Sequence, residues 1–230
     1  MKREIYYTAL GTFQIRKEAH KGKYPVIIVC QKEYIVDPQE FAVWSILCWR
    51  ICSAEELSMQ YADIAVFLPV ERRSLELCVK RLEMRGLIAY GTGDTEFDAL
   101  YDLLSNLYVS PVKEAVTLRL RAFFKLVFLS GVPIRKAARL FWRDRRDEQE
   151  ALIMTLSNQA MLSTAELIKC FEVGAEDIST DEKLLDALYY DEDTTSDNIA
   201  MMMLASASRK PVTEAVANLY LRKQIVFERV

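Results

Sequence analysis

Basic side chains gather on one face of the helix that the stretch RRSLELCVKRLEMRGLIAYG, residues 72–91, predicts. At about 100° per residue, a buried stripe centred on Leu75 leaves the opposite face to solvent. That outward face carries Arg73, Leu77, Lys80, Arg81 and Met84, with Arg72 at the helix start. Guanidinium and ammonium groups contact phosphates and guanine edges, so the four basic members of this set are predicted to bind nucleic acid. The two apolar members favour a protein or peptide partner instead.

A second basic surface is predicted in the middle of the chain. The segment IRKAARLFWRDRR places arginines at i, i+4, i+8 and i+11 along one side of a helix, namely Arg135, Arg139, Arg143 and Arg146. Such a stripe fits a phosphate backbone, with salt-sensitive affinity, and we predict Arg135 and Arg139 as contacts. Residues 113–146 hold ten Lys/Arg and two Asp/Glu, whereas residues 147–205 hold two and fourteen. Pairing between these oppositely charged segments is the alternative interpretation of the stripe.

The last predicted helix, KPVTEAVANLYLRKQ, is a weaker candidate for the same chemistry. Its outward face is predicted to hold Lys210, Thr213, Glu214, Ala217, Asn218 and Leu221, and Arg209 precedes it. The hydroxyl of Thr213 and the amide of Asn218 can hydrogen-bond to base edges, but the carboxylate of Glu214 would repel phosphate. We predict Arg209, Lys210 and Thr213 as nucleic-acid contacts.

Catalytic chemistry has little support in the sequence. There is no glycine-rich phosphate loop and no GxSxG, HExxH or Cys-x-x-Cys pattern. The acidic cluster DEDTTSD, residues 191–197, lacks the glycine and the closing glutamate of a calcium loop, so a solvated turn explains it. Cys48 and Cys52, expected one turn apart on a helix, have no second ligand pair for a metal, and His20 is the only histidine. We therefore expect a non-catalytic protein without cofactor or metal, with free core thiols.

The sequence patterns of the elements that position these residues are typical of strands at the start of the chain and of helices after that. IYYTAL, TFQI, YPVIIVC and EYIV are rich in β-branched and aromatic residues and predict strands within residues 4–36. Helices are predicted over PQEFAVWSILCWRI, with Asp37 as N-cap, and over SAEELSMQY, with the capping box Ser53-x-x-Glu56. The stretch before Gly86 gives a third helix, and an apolar strand follows it. Residues 97–172 predict helices almost throughout, among them FDALYDLLSNLY, a continuous helix from Ile134 to Leu156, and TAELIKCFE after Ser163.

The C-terminal residues repeat the order of three helices and a strand. DEKLLDALYY, SDNIAMMMLAS and KPVTEAVANLYLRKQ are the helices, and IVFERV is the strand. The third helices align at a displacement of 137 residues, with Leu75, Cys78, Val79 and Leu82 matching Val212, Ala215, Val216 and Leu219. We predict an α+β, mostly helical fold with winged helix-turn-helix modules at both ends, joined by a helical linker. The predicted boundaries are 1–95, 96–175 and 176–230.

The passage YPVIIVCQKEYIVDPQEFAVWSIL, followed by SAEEL and VKRLEMRGLI, resembles the PqqD-like leader-peptide recognition domains of ribosomal peptide-modification pathways. The shared features are a strand pair, an acidic helix start, a buried tryptophan, a capped EEL helix and a closing L-x-x-x-GLI. In this chain they are Asp37, Glu40, Trp44, Ser53, Glu55–Glu56–Leu57 and Leu82…Gly86–Leu87–Ile88. The resemblance covers residues 24–90. It implies a winged-helix fold in which a peptide binds as an added strand beside the sheet, against the third helix.

Composition gives the remaining expectations. No run approaches the ~18 apolar residues of a membrane span, and the N-terminus is too polar for a signal peptide, so we expect a cytoplasmic protein with no membrane partner. We predict a sequence-specific transcriptional regulator that binds double-stranded DNA as a homodimer, with the apolar segment LRAFFKLVFL in the dimer interface. The alternative is a non-catalytic adaptor that binds a peptide or protein through the same fold.

Overall fold

The computed structural model describes residues 3–18, 22–65, 73–112, 146–191 and 193–229. Within these ranges the strands form three small antiparallel sheets, and helices pack against them. This confirms the α+β class that the sequence predicts. Among the described helices, none is both long and apolar enough to cross a membrane.

Strands dominate the N-terminal part of the chain, and helices dominate the rest. The strands at the start are β1 (Glu4–Ala9), β2 (Thr12–Glu18), β3 (Gly22–Val29) and β4 (Lys32–Ile35). Next come α1 (Pro38–Leu47), β5 (Cys52–Ser53), α2 (Ala54–Ala65), α3 (Leu75–Met84), β6 (Ile88–Gly93), α4 (Glu96–Ser105) and β7 (Tyr108–Pro111). The remaining elements are α5 (Glu148–Gln159), β8 (Leu162–Ser163), α6 (Thr164–Val173), α7 (Asp181–Tyr189), α8 (Ile199–Met202), a 3₁₀ turn (Met203–Ala205), α9 (Arg209–Leu221) and β9 (Ile225–Glu228).

Reciprocal side-chain caps fix the starts of several helices. The carboxylate of Asp37 accepts the N–H groups of Gln39 and Glu40, and Pro38 occupies the first helical turn, where a missing N–H costs little. The predicted capping boxes of α2 and α6 are confirmed, because Ser53 with Glu56 and Ser163 with Glu166 exchange the expected bonds. These local interactions explain why the sequence predicts the helix starts well.

Three predicted features differ from the structure. The continuous helix predicted through Leu156 is wrong, because Asp147 has an extended backbone with ψ of 176° and caps α5. The helix predicted up to Tyr108 ends at Ser105, and Tyr108 begins β7. Cys48 follows the end of α1 and Cys52 lies in β5, so the two thiols do not share a helix face.

Two of the three sheets have the same topology. In the sheet β5-β1-β6, Tyr6 pairs with Ser53 on one side and with Gly91 on the other. In the sheet β8-β7-β9, Tyr108 pairs with Ser163 and with Glu228 in the same way. Each sheet has a long insertion before its first helix, and a two-residue strand that leads directly into its second helix. We call β1, α1, β5, α2, α3 and β6 the first repeat, and β7, α5, β8, α6, α9 and β9 the second repeat.

Fixed displacements relate the two repeats. Asp37, Glu40, Ser53, Glu56 and Leu57 have counterparts 110 positions later, at Asp147, Glu150, Ser163, Glu166 and Leu167. The third helix and the strand after it recur 137 positions later, the displacement that their sequence alignment predicts. The sequence predicts α7 and α8 as the first and second helices of the C-terminal module, but the structure gives those places to other helices. The first two helix positions are taken by α5 and α6, from the predicted linker, whereas α7 and α8 lie between the second and third helices of the repeat.

A tyrosine of the second repeat is buried in the first repeat. The hydroxyl of Tyr220 accepts the N–H of Trp49 at 3.0 Å and lies 3.3 Å from the carbonyl oxygens of Ala9 and Leu47, to one of which it donates. Thr8 Oγ is 2.9 Å away. Burial raises the pKa of Tyr220 well above its usual value, so the hydroxyl keeps its proton at neutral pH. This network joins the two repeats through backbone groups at the end of β1 and at the α1 C-terminus.

The third sheet, β2-β3-β4, is inserted between β1 and α1. Its Phe13 packs on Phe41 and Trp44 of α1, with ring centroids 5.5 and 5.9 Å apart. The indole N–H of Trp44 donates to the carbonyl of Leu10 at 3.1 Å, which satisfies the one polar atom of this buried side chain. The inserted sheet is thereby held against the first helix of the first repeat.

Candidate functional site

The start of α1 and the end of α3 meet at the carboxylate of Glu40, which is 1% exposed. Arg81 Nε donates to Glu40 Oε1 at 2.5 Å, and Arg85 Nη1 donates to Oε2 at 3.0 Å. The backbone N–H of Asp37 donates to Oε2 at 3.3 Å. A buried carboxylate requires such partners, because an unpaired charge in a dry environment is heavily penalised. Arg81, predicted to contact nucleic acid, is therefore engaged within its own repeat.

Arg73 is engaged in the same way at the other end of α3. Its guanidinium forms an ion pair with Asp37, and its backbone N–H donates to the side-chain oxygen of Gln39 at 3.3 Å. Partial burial raises the pKa of Asp37, but hydrogen bonds from the Glu40 N–H and from Arg73 outweigh it, so the pKa lies below its usual value. Two of the basic residues predicted to bind nucleic acid thus hold α3 against the start of α1.

The outward face of α3 carries exposed apolar side chains beside basic ones. Met84 is 78% exposed and Leu77 is 47% exposed, as the helical geometry predicts, and Lys80 is exposed as well. The helix itself carries two acidic residues, Glu76 and Glu83, and two basic residues, Lys80 and Arg81. Since a helix that lies against phosphates needs net positive charge, this face suits a protein or peptide better than a nucleic acid.

Strand β4 lies beside the C-terminal end of α3 and has an edge that no other described strand pairs. Cys30 and Gln31 both have positive φ, 45° and 64°, and form a two-residue turn between β3 and β4. In such a hairpin the two residues that flank the turn, Val29 and Lys32, are hydrogen-bonded to each other. Hydrogen-bonded and free positions alternate along β4, so the backbone groups of Glu33 and Ile35 point away from β3. The carbonyl of Ile35 accepts Arg85 Nη2 at 2.6 Å, which places the end of α3 at this edge. The Ile35 side chain is 59% exposed.

The corresponding edge of β6 is covered. The N–H of Thr92 donates to the carboxylate of Asp102 at 2.8 Å. The backbone of α4 lies so close that a Cβ on Gly91 would stand 2.2 Å from the backbone nitrogen of Leu103. Within the described ranges, the β4 edge with the adjacent face of α3 is therefore the better place for an added strand. We call Ile35, Leu77, Met84 and the β4 edge the α3–β4 surface.

The second repeat presents its predicted contacts differently. Arg209 pairs with Asp98 at 2.8 Å and lies over the rings of Phe97 and Tyr101, at 4.9 and 4.3 Å. Thr213 is fully buried, and its hydroxyl donates to the carbonyl of Arg209 at 2.6 Å. The outward placement of Thr213 and of Ala217 is therefore wrong, because this side of α9 faces the first repeat.

Lys210 is the one predicted contact of α9 that is exposed, and it lies 3.9 Å from Glu214 on the next turn. Arg72, Arg135 and Arg139 lie outside the described residues, as do His20 and the segment LRAFFKLVFL predicted for the dimer interface. Arg146, the last arginine of the predicted stripe, donates to the side-chain oxygen of Gln224.

The residues that sequence reasoning missed are the acidic partners of these arginines. Glu150, the counterpart of Glu40, is also 1% exposed and accepts Arg222 Nη1 at 2.9 Å, as Glu40 accepts Arg85. A search for Asp-x-x-Glu followed 13 residues later by Ser-x-x-Glu-Leu would find both copies in the sequence. That pattern includes Glu40 and Glu150, and its second copy also includes Glu166, which is buried as well.

The described residues contain no cluster of three or more His, Cys, Asp or Glu side chains suited to a metal ion. All five cysteines are free, as predicted, and burial raises the pKa of Cys170 to about 12 and that of Cys48 to about 11. Such thiols are poor nucleophiles at neutral pH. Comparison of the chain with protein-family models, with curated proteins and with solved structures finds no match.

Proposed function

We propose that each repeat is a winged-helix module and that the protein is a non-catalytic adaptor. In this proposal the first repeat binds an extended peptide segment of a partner protein at the α3–β4 surface. The peptide adds a strand to the β4 edge and places alternate side chains against Leu77 and Met84 of α3. The resemblance to PqqD-like domains over residues 24–90 supports the same mode.

One observation carries this proposal. Arg73 and Arg81, which would serve a DNA-binding helix, are paired with Asp37 and Glu40, while Met84 is the most exposed apolar side chain of α3. Freeing Arg73 and Arg81 for phosphate would leave the buried carboxylate of Glu40 with fewer partners, which is costly. Binding an apolar peptide beside Met84 leaves both of these ion pairs in place, and the added strand replaces only Arg85 as the partner of the Ile35 carbonyl.

A cytoplasmic location is part of the proposal, because five free thiols suit a reducing compartment. Homodimer formation, predicted from residues outside the described ranges, remains a separate prediction. Binding to double-stranded DNA is the competing function, and a titration with duplex DNA detects it.

The test selects peptides from a random display library on the full-length protein and titrates the best binder by fluorescence anisotropy. Met84→Asp and Leu77→Asp should each weaken binding at least tenfold, since either carboxylate would be desolvated by the apolar peptide. Leu185→Asp, at an equally exposed apolar position on α7, is the matched control and should leave binding unchanged. Hydrogen exchange at the amide of Ile35 should slow in the complex.

The same titration with random duplex DNA at low and moderate salt addresses the competing function. If DNA binds with strong salt dependence and Arg73→Ala with Lys80→Ala abolishes it, the DNA-binding prediction replaces the adaptor proposal. Selected peptides whose affinity is indifferent to Met84→Asp and Leu77→Asp would also refute the proposed surface.

A further inference from the structure

The cleft between the second and third helices is covered in the second repeat. There α4, the helix that follows β6 of the first repeat, lies against α6 and α9, and α8 with the 3₁₀ turn contacts α6 as well. Arg209 of α9 pairs with Asp98 of α4, and Val212, Thr213 and Val216 on the cleft side of α9 are fully buried. This surface is therefore an interface within the chain.

An amphipathic stripe on α4 forms this cover. Phe97, Leu100, Tyr101 and Leu104 have the i, i+3, i+4, i+7 spacing of one helix face. Phe97 and Leu100 border Ala217 and Leu221 of α9, while Tyr101 contacts Arg209. The other side of α4, at Ala99 and Leu103, packs on the glycines of β6. Phe97, Leu100 and Tyr101 of this stripe thus lie against α9 of the second repeat.

Within the part of the chain that the structure describes, no element covers the equivalent cleft of the first repeat. It is a groove of about 420 Å³ between α2 and α3, with an apolar floor of Tyr7, Leu57, Leu75 and Val79. The equivalent positions in the second repeat are Val109, Leu167, Val212 and Val216, all buried. Leu75 and Val79 are only half-buried, and no described element of this chain lies across them. Among the described residues, the same structural position is therefore filled in one repeat and unfilled in the other.

The charge around the groove indicates what kind of helix fits. Glu76, Lys80 and Glu83 line its rim, where the second repeat has Thr213, Ala217 and Tyr220. A neighbouring cleft, which shares Ala54 with the groove, is lined by Arg3, Glu4, Glu55, Glu56 and Glu96. The two together carry six acidic and two basic side chains, so a basic partner is favoured.

We infer that the α2–α3 groove of the first repeat binds an amphipathic, basic helix of a separate protein. The apolar side chains of that helix occupy the groove, in the way that the apolar stripe of α4 lies against α9 in the second repeat. Its Lys or Arg side chains face Glu76 and Glu83 on the rim. This surface is distinct from the α3–β4 surface and does not depend on the proposed peptide-binding function.

The probe is a synthetic peptide of about 16 residues, long enough to form a helix with side-chain crosslinking. It carries Phe, Leu, Tyr and Leu at the spacing of Phe97, Leu100, Tyr101 and Leu104, with lysines on the other face. A control peptide has alanine at the four apolar positions. By fluorescence anisotropy with the full-length protein, the probe should bind and the control peptide should bind at least tenfold more weakly.

Variants on both surfaces localise the binding. Val79→Asp places a carboxylate on the groove floor and should weaken probe binding at least tenfold, whereas Met84→Asp on the α3–β4 surface should leave it unchanged. Because Val79→Asp also perturbs packing, Glu76→Lys with Glu83→Lys provides a second variant at the groove rim. This double variant should bind the lysine probe at least fivefold more weakly and bind a glutamate version of the probe more tightly.

Three results would overturn the inference. They are absence of probe binding, equal binding of the probe and the alanine control, and probe affinity indifferent to both groove variants. A fourth result concerns the occupant. If the wild-type protein sediments as a dimer that Val79→Asp dissociates and Met84→Asp does not, the groove binds a second copy of this chain instead of a separate protein. Extended-peptide binding at the α3–β4 surface succeeds or fails independently of all four.

Discussion

Glu40 and Arg85 form an ion pair of 3.0 Å that recurs in the second repeat as Glu150 and Arg222 at 2.9 Å. In both repeats the glutamate is the third residue of the first helix and completes its capping box. In both, the arginine directly follows the third helix. The pair thus fixes the same two helix ends in each repeat, and each carboxylate is 1% exposed.

Loss of the arginine should cost more in the second repeat than in the first. Glu40 has two arginine partners, so Arg85→Ala leaves it paired with Arg81, whereas Arg222 is the one cation that the described contacts give Glu150. Removing one partner of a buried pair costs about 3 kcal/mol or more. We expect Arg222→Ala to lose about this much unfolding free energy in urea titrations, and Arg85→Ala about 1 kcal/mol.

A double variant provides the control for this comparison. Adding Glu150→Gln to Arg222→Ala removes the unpaired charge and should recover part of the loss, because glutamine can still cap the helix. Equal destabilisation by the two single arginine variants would contradict the role of Arg81 as a second partner of Glu40.

Much of the first repeat is predictable because its signals are local. β-Branched runs give β1 to β4, and Asp37 and Ser53 cap helices through contacts within three residues. Strands β7 and β8 of the second repeat are not predictable in this way, since β7 has four residues and β8 has two, whereas β9 is predicted as IVFERV. Runs this short carry no readable alternation, so their partners in the sheet depend on tertiary packing.

In the candidate site, too, the features that depend on local sequence are predictable and the long-range contacts are not. Helical geometry alone predicts that Leu77, Lys80 and Met84 are exposed, which the structure confirms. The pairing of Arg73 with Asp37 and of Arg81 with Glu40 joins residues 36 and 41 positions apart, which no local pattern encodes. A single buried stripe predicts an outward Thr213, but α9 packs on both its own sheet and the first repeat.

The ion pair of Asp37 and Arg73 should make stability depend on pH in the acid range. Because the pKa of Asp37 is lower in the folded protein than its usual value of 3.8, folding is stabilised above that value and the contribution disappears as pH falls through the folded pKa. Asp37→Asn keeps an N-cap but loses the charge. In urea titrations this variant should be less stable than wild type at pH 6, and the difference should shrink below about pH 4.

The exposed Asp186 on α7 supplies the control for this pH experiment. Asp186→Asn should show little difference from wild type across the same range. A difference between Asp37→Asn and wild type that persists unchanged to about pH 2.5 would show that the ion pair is not its origin.

Two glycines with the same backbone conformation should respond differently to alanine. Gly11 and Gly174 have φ of 73° and 70°, so alanine is strained at either position by about 1–2 kcal/mol. A Cβ on Gly11 would stand 2.0 Å from the carbonyl oxygen of Ile28, whereas nothing lies within 4 Å of one on Gly174. Gly11→Ala should therefore cost roughly 3 kcal/mol or more, measured by urea unfolding. Similar costs at the two positions would mean that the β1–β2 junction shifts readily.

Removing the hydroxyl of Tyr220 should weaken the contact between the repeats without creating a large cavity in the core. Tyr220→Phe leaves the N–H of Trp49 without its acceptor, and an unsatisfied buried donor costs about 1–3 kcal/mol. We expect that loss in urea titrations, together with faster hydrogen exchange at the Trp49 amide. Tyr190→Phe, at a side chain that is 86% exposed, should change neither quantity. If the Trp49 amide exchanges at the wild-type rate in Tyr220→Phe, the hydroxyl is not what holds the α1 C-terminus to the second repeat.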